Sequence, residues 1–251
     1  GRGFLLDKSI KTKRTNIEDD EVTFENAWGV CDADIYNKVI KESDIAHKTG
    51  KPFFFFIFLI SNHKPYTYPE GKIDIPSGSS RDGAVKYTDY AIGEFLRIAR
   101  TKPWYENTVF VIMSDHCASS AGRWELDIQN YHIPALIYNL PNIEPEKVDK
   151  LSSQIDLFPT LFALLNWNYD SKFFGMDILK MRPEDSRAFV GNYRKLGLLK
   201  DDNKLMVLGD QQTANFYKWN PVDNSLIDLP MDNDFLETTI SWYQVADYLY
   251  T

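Results

Sequence analysis

Apolar and polar positions alternate along the first two thirds of the chain in blocks that predict strands and helices in turn. Three apolar runs have the length and composition of strands: they span residues 53–60, 108–114 and 133–140. The first, rich in Phe and Ile, is typical of a central strand buried on both faces. Helical spacing predicts helices over 32–50, with Asp32 as N-cap, and over 83–102, and a third helix begins near Asp156. This alternation predicts an α/β fold with a mostly parallel sheet flanked by helices.

Two regions depart from this alternation. Residues 61–83 are rich in Gly, Pro and Ser and predict a long surface loop, and loops of that length inside domains are more often functional than not. From residue 186 onward, short strand-like segments separated by turn residues predict a small antiparallel β extension, which a helix over 234–251 closes. We therefore place a boundary between residues 185 and 186, with both parts packed in one domain.

Composition narrows the classes of partner. The chain has 251 residues, 43% of them hydrophobic, which suffices for a sizeable core. Its net charge of -8 argues against a nucleic-acid partner, because phosphate backbones are bound by basic surfaces. The two cysteines, Cys31 and Cys117, do not form a disulfide framework; they either pair with each other or are two small buried thiols.

Side chains capable of binding ligands lie at the ends of the predicted strands. Asn62 and His63 follow the first apolar run, Asp115 and His116 follow the second, and His132 precedes the third after a loop that can return it to the same edge. In open parallel sheets, ligands bind where strands end at their carboxyl edge. The sequence therefore predicts a ligand site there.

Asp115 and His116 supply an oxygen and a nitrogen, a combination suited to Zn²⁺ or Mn²⁺. Adjacent residues in a regular strand point to opposite faces, so the pair shares one cation only if the strand gives way to a loop. The small residues at 118–122 permit this. The alternative is an ordinary loop turn.

Other candidate residues have two interpretations each. His63 either binds an anionic substrate or is an ordinary loop histidine, and His132 is either a ligand or a structural residue. Arg123 and Lys64 are either anion contacts or surface charges, and Trp28 serves either packing or recognition. The chain lacks the nucleophile-elbow, phosphate-loop, dinucleotide-binding and zinc-protease motifs, and nothing marks a serine nucleophile.

Taken together, six segments resemble the sulfatase and lipoteichoic-acid-synthase branch of the alkaline phosphatase superfamily. In order they are "FENAWGVCDADIY", "FLISNHKPYTYP", "YTDYAIGEFL", "VFVIMSDHCASSAGRWELDIQNYHIPALIY", "SSQIDLFPTLFALL" and "FGMDIL". The likeness covers residues 24–185, and the terminal "ISWYQVADYLY" is similar to the end of some bacterial members. The resemblance implies an alkaline phosphatase-like fold in which residues 1–185 form the C-terminal part of the catalytic domain.

The same resemblance implies a metal-dependent enzyme that transfers or hydrolyses a phosphoryl or sulfuryl group through a covalent intermediate. Asp115 and His116 match the family's metal ligands, and His63 matches its contact to the substrate's anionic group. His132, Asn62 and Arg123 are further substrate-binding candidates. The implied cofactor is a divalent metal, with Mn, Zn, Mg and Ca not distinguished, and the implied partner is an anionic phospho- or sulfo-ester.

The chain departs from the family pattern at its start. The family's nucleophile and first acidic metal ligand lie upstream of the tryptophan motif, and neither Thr15 nor Cys31 has a matching context. We therefore assign no catalytic nucleophile here and expect the C-terminal part of a larger enzyme, with little turnover and weak metal binding alone. The resemblance also implies an extracytoplasmic location, with membrane anchoring through N-terminal segments absent from this sequence.

Three functions remain open at this point. The segments "AWGVCD" and "SNHKPY" favour transfer of a phosphoglycerol-type group to or from envelope glycopolymers or lipids. Sulfate-ester hydrolysis and a non-catalytic binding module that keeps the fold are the alternatives.

Overall fold

The computed structural model describes residues 8–10 as backbone, together with residues 17–119 and 122–250. It divides into two compact units, Gly1–Thr108 and Val109–Thr251, and each is described by itself below. The domain boundary expected from the sequence, between residues 185 and 186, stays a prediction.

In the residues that the structure describes, the first unit has two long helices and four short strands. The helices are α1 (Asp32–Lys48) and α2 (Arg81–Ala99), and the strands are β1 (Lys8–Ile10), β2 (Glu25–Asn26), β3 (Gly29–Val30) and β4 (Phe55–Ile57). β1 pairs in parallel with β4, and β2 pairs antiparallel with β3. Short 3-10 helices lie at Asp19–Glu21 and Tyr105–Asn107.

The two helices of this unit pack against each other through apolar side chains, and α2 also has a side-chain cap. The Ser80 hydroxyl accepts a hydrogen bond from the Gly83 amide at 3.1 Å and caps the first turn of α2. Tyr36 of α1 stacks on Phe95 of α2 with ring centroids 4.5 Å apart. A buried cluster beside this contact holds the N-terminus of α1 against α2: Cys31, Tyr68, Ala84 and Tyr87.

The described part of the second unit contains an antiparallel strand pair, a short helix, a five-stranded sheet and a long C-terminal helix. Its elements are β5 (Phe110–Met113), β6 (Ala135–Tyr138), α3 (Leu157–Leu164), β7 (Arg187–Gly191), β8 (Lys195–Lys200), β9 (Lys204–Gly209), β10 (Ala214–Asn220), β11 (Ser225–Asp228) and α4 (Asn233–Tyr250). Short 3-10 helices lie at Ile128–Tyr131, Gln154–Asp156, Pro183–Asp185 and Asp210–Gln212. The sheet order β11-β10-β9-β8-β7 is antiparallel throughout.

The core of the second unit lies against the five-stranded sheet. Its buried members are Leu126, Ile128, Val190, Leu199, Leu205 and Val207. α4 packs on the sheet through aromatic side chains, with Phe216 and Phe235 ring centroids 5.6 Å apart. The Tyr243 hydroxyl donates to the Gly197 carbonyl at 2.7 Å, which fixes the helix to β8. The strand-like segments and final helix that the sequence predicted after residue 186 thus form one β-sheet and one helix.

The prediction of a mostly parallel sheet is not confirmed. Among the strands that the structure describes, β1 and β4 form the parallel pair, whereas β5 pairs antiparallel with β6 and the later strands are antiparallel. An apolar run indicates that a strand has buried contacts, but the direction of its neighbour depends on connections that the run does not encode.

Two local predictions in the first unit are wrong. The 53–60 run is not buried on both faces, because β4 is only three residues long and Phe56 is 52% exposed. The N-cap position of α1 is Cys31, and Asp32 is the first helical residue instead. The Asp32 carboxylate is buried and points toward the residues after β4. There it accepts hydrogen bonds from two backbone amides, and its described hydrogen bonds include none from the amides of the first turn of α1.

Candidate functional site

Asp115 and His116 lie where β5 ends and the chain leaves the extended conformation. The Ser114 amide still donates a backbone hydrogen bond to the Pro134 carbonyl, which precedes β6, at 3.3 Å. Beyond it, the Asp115 Oδ2 and His116 Nε2 atoms are 3.5 Å apart, so the two adjacent side chains converge as the sequence predicted. Both are more than half exposed and therefore open to a ligand from solvent.

Hydrogen bonds at this turn occupy the other polar atom of each side chain, Nδ1 of His116 and Oδ1 of Asp115. The His116 Nδ1 atom lies 2.6 Å from the Cys117 carbonyl oxygen, which only accepts, so Nδ1 carries the proton. In the neutral imidazole Nε2 is then the unprotonated, metal-binding nitrogen. Asp115 Oδ1 accepts the His116 amide at 2.9 Å, which leaves Oδ2 as the oxygen facing Nε2.

This arrangement fits two ligands of one divalent cation. Two atoms bound tetrahedrally to a cation at about 2.1 Å each are about 3.4 Å apart, close to the observed 3.5 Å. Within the described parts of the chain, however, no group of three or more His, Cys, Asp or Glu residues is placed to hold a metal ion. Among the described residues, the geometry thus accounts for two possible ligands of a cation and no more.

Two neighbours hold this turn in place, and one of them was missed by sequence analysis. The Gln154 side-chain amide donates to the Asp115 carbonyl at 2.6 Å and to the Ser114 carbonyl at 3.2 Å. The Cys117 thiol donates to the His132 carbonyl at 3.2 Å, which places the His132 backbone beside the turn while its side chain is exposed. Gln154 lies within the family-like segment "SSQIDLFPTLFALL", and that resemblance was the one feature of the sequence that could have drawn attention to it.

Asp156 of that same segment has a structural role. Its carboxylate is fully buried and accepts from both terminal nitrogens of buried Arg187, at 2.7 and 2.8 Å. It also accepts the amides of Ser153 and Met176, each at 2.8 Å. This network joins the N-terminus of α3 to β7.

His63 lies in the first unit, in the loop after β4. Its ring stacks on Trp28 with centroids 4.1 Å apart and planes 19° apart. The Trp28 indole donates to the Lys64 carbonyl at 2.5 Å, although Trp28 itself is half exposed. Trp28 thus packs directly against a predicted site residue. Asn62 donates its side-chain amide to the Thr88 hydroxyl at 3.1 Å.

The remaining cationic candidates are exposed. The Arg123 guanidinium lies 5.0 Å from the centroid of the Trp124 ring, and the Arg123 backbone amide donates to Asp127. Lys64 is exposed, and its backbone carbonyl accepts the hydrogen bond from the Trp28 indole.

The two cysteines are free thiols, with Cys31 buried and Cys117 partly exposed, so the pairing alternative is wrong. Thr15, to which we assigned no nucleophile role from the sequence, lies outside the described residues.

Comparison with known proteins defines the class. Residues 4–167 match the family model described as Sulfatase, and the chain therefore belongs to the sulfatase family. A crystal structure of an alkaline phosphatase superfamily protein from Vibrio parahaemolyticus superposes with a TM-score of 0.84 and 33% identity, covering 91% of this chain and 56% of that one. A lipoteichoic acid synthase from Listeria monocytogenes, at 20% identity and a TM-score of 0.67, shares the fold over 90% of this chain and 61% of its own. These neighbours support the α/β class.

The matching curated relatives are named phosphoglycerol transferase and lipoteichoic acid synthase. Phosphoglycerol transferase I of Citrobacter koseri is 27% identical over 192 residues, which is 72% of this chain and 24% of the relative. Lipoteichoic acid synthase 2 of Bacillus subtilis is 28% identical over 153 residues, 51% of this chain and 23% of the relative. The chain thus spans about a quarter of these proteins. No helix in the described parts of the chain is long and apolar enough to cross a membrane.

Proposed function

We propose that the chain is the C-terminal part of the catalytic domain of a metal-dependent phosphotransferase that moves a phosphoglycerol-type group on envelope glycopolymers or lipids. The observation that carries this is the convergence of Asp115 Oδ2 and His116 Nε2 at 3.5 Å, with the other ring nitrogen of His116 bonded to the Cys117 carbonyl. Family membership and the names of the curated relatives support the reaction class. An extracytoplasmic location of the complete, membrane-anchored protein belongs to the same proposal.

In this function each residue has a distinct role. Asp115 and His116 hold a divalent cation, which when bound stabilises negative charge on the transferred group and lowers the pKa of a nucleophilic hydroxyl. Gln154 holds the backbone of the first ligand in place. His63 contacts a non-bridging oxygen of the substrate anion, with Asn62, Arg123 and His132 as further contacts.

The cation site is tested by paramagnetic broadening with Mn²⁺. The chain has four histidines, so its imidazole Cε1 proton signals are few enough to assign by NMR. Substoichiometric Mn²⁺ should broaden the His116 signal first, and Asp115→Asn should abolish that preference. Asp149→Asn is the matched control, because Asp149 is an exposed carboxylate of the same unit. Equal broadening of His116 in both variants would contradict the site.

The reaction is tested separately by turnover. We propose that the 251-residue chain lacks the nucleophile and hydrolyses neither bis-p-nitrophenyl phosphate nor p-nitrophenyl sulfate, whereas the longer protein hydrolyses the phosphodiester in the presence of metal. Preference of the longer protein for the sulfate ester would establish the sulfatase alternative. Metal binding without either activity in the longer protein would establish a binding module. Rapid turnover by the isolated chain would overturn the assignment of the nucleophile elsewhere.

A further inference from the structure

The segment from Trp28 to Asp32 contacts the Asn62–His63 loop on two sides. Asp32 is fully buried at the first position of α1, where a carboxylate commonly serves the helix's own amides. Here its described hydrogen bonds come from outside α1. Oδ1 accepts the amides of Ile60 and Ser61, at 3.2 and 3.1 Å, and Oδ2 accepts the Thr88 hydroxyl at 2.7 Å.

The direction of these hydrogen bonds fixes the orientation of Asn62. A carboxylate only accepts, so the single hydroxyl proton of Thr88 is committed to Asp32. The lone pairs of Thr88 are then left to accept, and the Asn62 side-chain nitrogen donates to them at 3.1 Å. The negative charge of Asp32 thereby sets which way the exposed Asn62 amide faces, with its nitrogen toward α2 and its oxygen away from it.

Trp28 supports the other side of the loop. Its ring covers His63 at a centroid distance of 4.1 Å, and its indole N–H donates to the carbonyl of the next residue, Lys64. The Trp28 backbone is itself held, because its amide donates to the Asn26 side-chain oxygen at 2.8 Å. The short segment from Trp28 to Asp32 thus contacts the loop in three ways. It binds the backbone amides of Ile60 and Ser61, it orients the Asn62 side-chain amide through Thr88, and it stacks on the ring of His63.

We propose that Asp32 and Trp28 are positioning residues for the Asn62–His63 pair, with Asp32 acting through Thr88. The use of that pair to bind an anion rests on the proposed function, but the positioning itself does not. A purely structural role would stabilise the unit without controlling the order of the exposed Asn62 side chain or the environment of the His63 ring.

The relay is tested with two variants, one that keeps the shape of Thr88 and one that keeps its hydroxyl. Thr88→Val removes the hydroxyl and keeps the shape, whereas Thr88→Ser keeps the hydroxyl. In ¹⁵N NMR spectra of the whole chain, the Asn62 side-chain amide should be as rigid in Thr88→Ser as in the parent and should become mobile in Thr88→Val. An Asn62 amide that stays equally ordered in Thr88→Val would overturn the relay.

The Trp28 contact gives a second measurement at an exposed position, where loss of folding is not expected. Because the rings are stacked, we expect the indole to shift the His63 ring protons upfield. Trp28→Leu should remove this shift, and Trp28→Phe should keep part of it. Unchanged His63 shifts in Trp28→Leu would overturn the positioning role of Trp28.

Titration with inorganic phosphate separates this inference from the proposed function. If phosphate moves the His63 signals in the parent, the response should need several-fold more phosphate in Thr88→Val and the same amount in Thr88→Ser. Equal responses in Thr88→Val and the parent would overturn the positioning role. If the parent does not respond, the anion-binding role of His63 fails, and the order of Asn62 and the shifts of His63 still decide the positioning.

Discussion

The buried Asp156–Arg187 pair makes a quantitative prediction about the second unit. Asp156→Asn keeps the size of the side chain but removes the charge that two guanidinium nitrogens contact at 2.7 and 2.8 Å. Arg187 is 1% exposed, so the cation is left in the interior without its counter-charge. Removing one partner of such a pair typically costs about 3–5 kcal/mol.

That cost is a large share of the stability of the unit. Domains of this size are stable by about 5–15 kcal/mol, and each kcal/mol corresponds to about 2–4 °C in Tm. We therefore expect Tm to fall by about 6–20 °C. The Arg187 guanidinium also lies 5.1 Å from the ring centroids of Phe189 and Trp242, so the loss of order should reach β7 and α4.

The assay is urea unfolding followed by tryptophan fluorescence, with thermal unfolding by circular dichroism. Asp185→Asn is the matched control, since Asp185 also accepts from two guanidinium nitrogens, Nε and Nη2 of the exposed Arg182. The control should unfold with the parent. Arg187→Met should cost about as much as Asp156→Asn, and the double variant should lose less than the sum of the two by up to about 3 kcal/mol. A loss under about 1 kcal/mol in Asp156→Asn would refute the argument that an unpaired buried guanidinium is costly at this position.

Three further predictions concern other positions. Two lysines hold the pKa of Glu21 at about 2, below its usual 4.5, so its contribution to stability is complete above pH 4.5 and is lost as the pH falls toward 2. Glu21→Gln should cost about 1 kcal/mol at about pH 7 and nothing near about pH 2, and a pH-independent loss in urea titrations would contradict this. Gly175→Ala would place a Cβ 2.0 Å from the Ile155 carbonyl oxygen, so we expect the free energy of unfolding to fall by about 1–3 kcal/mol. A Tm equal to the parent's in thermal unfolding would show that the backbone can move to accommodate the methyl group. Burial raises the pKa of the Cys31 thiol, so a thiol reagent should modify Cys117 in the folded chain and Cys31 only after unfolding; equal rates in mass spectrometry would contradict it.

The sequence predicted those features that depend on local pattern. Helical spacing located α1 and α2 to within a few residues, and the change of pattern after residue 185 located the antiparallel sheet and α4. The Asp115–His116 pair was found because a carboxylate and an imidazole follow an apolar run. That convergence is confirmed, whereas the roles of the site residues stay predictions.

Features that depend on distant residues were not predictable in the same way. The direction of strand pairing could not be predicted, because an apolar run such as 108–114 is compatible with a parallel or an antiparallel neighbour. Gln154 was not identified because an amide carries no signal of the backbone it contacts, 39 residues away in the case of Asp115.

Asp32 shows the division between the two sources of information most clearly. Its sequence position, at the start of a helical pattern, correctly located the beginning of α1, because capping and first-turn preferences are local. Only the tertiary structure decided where the carboxylate points, since its acceptor atoms are occupied by Ile60, Ser61 and Thr88 rather than by the helix. The sequence determined which residues can bind a cation or an anion. The fold determined which lone pairs remain available, because that depends on donors brought together from distant parts of the chain.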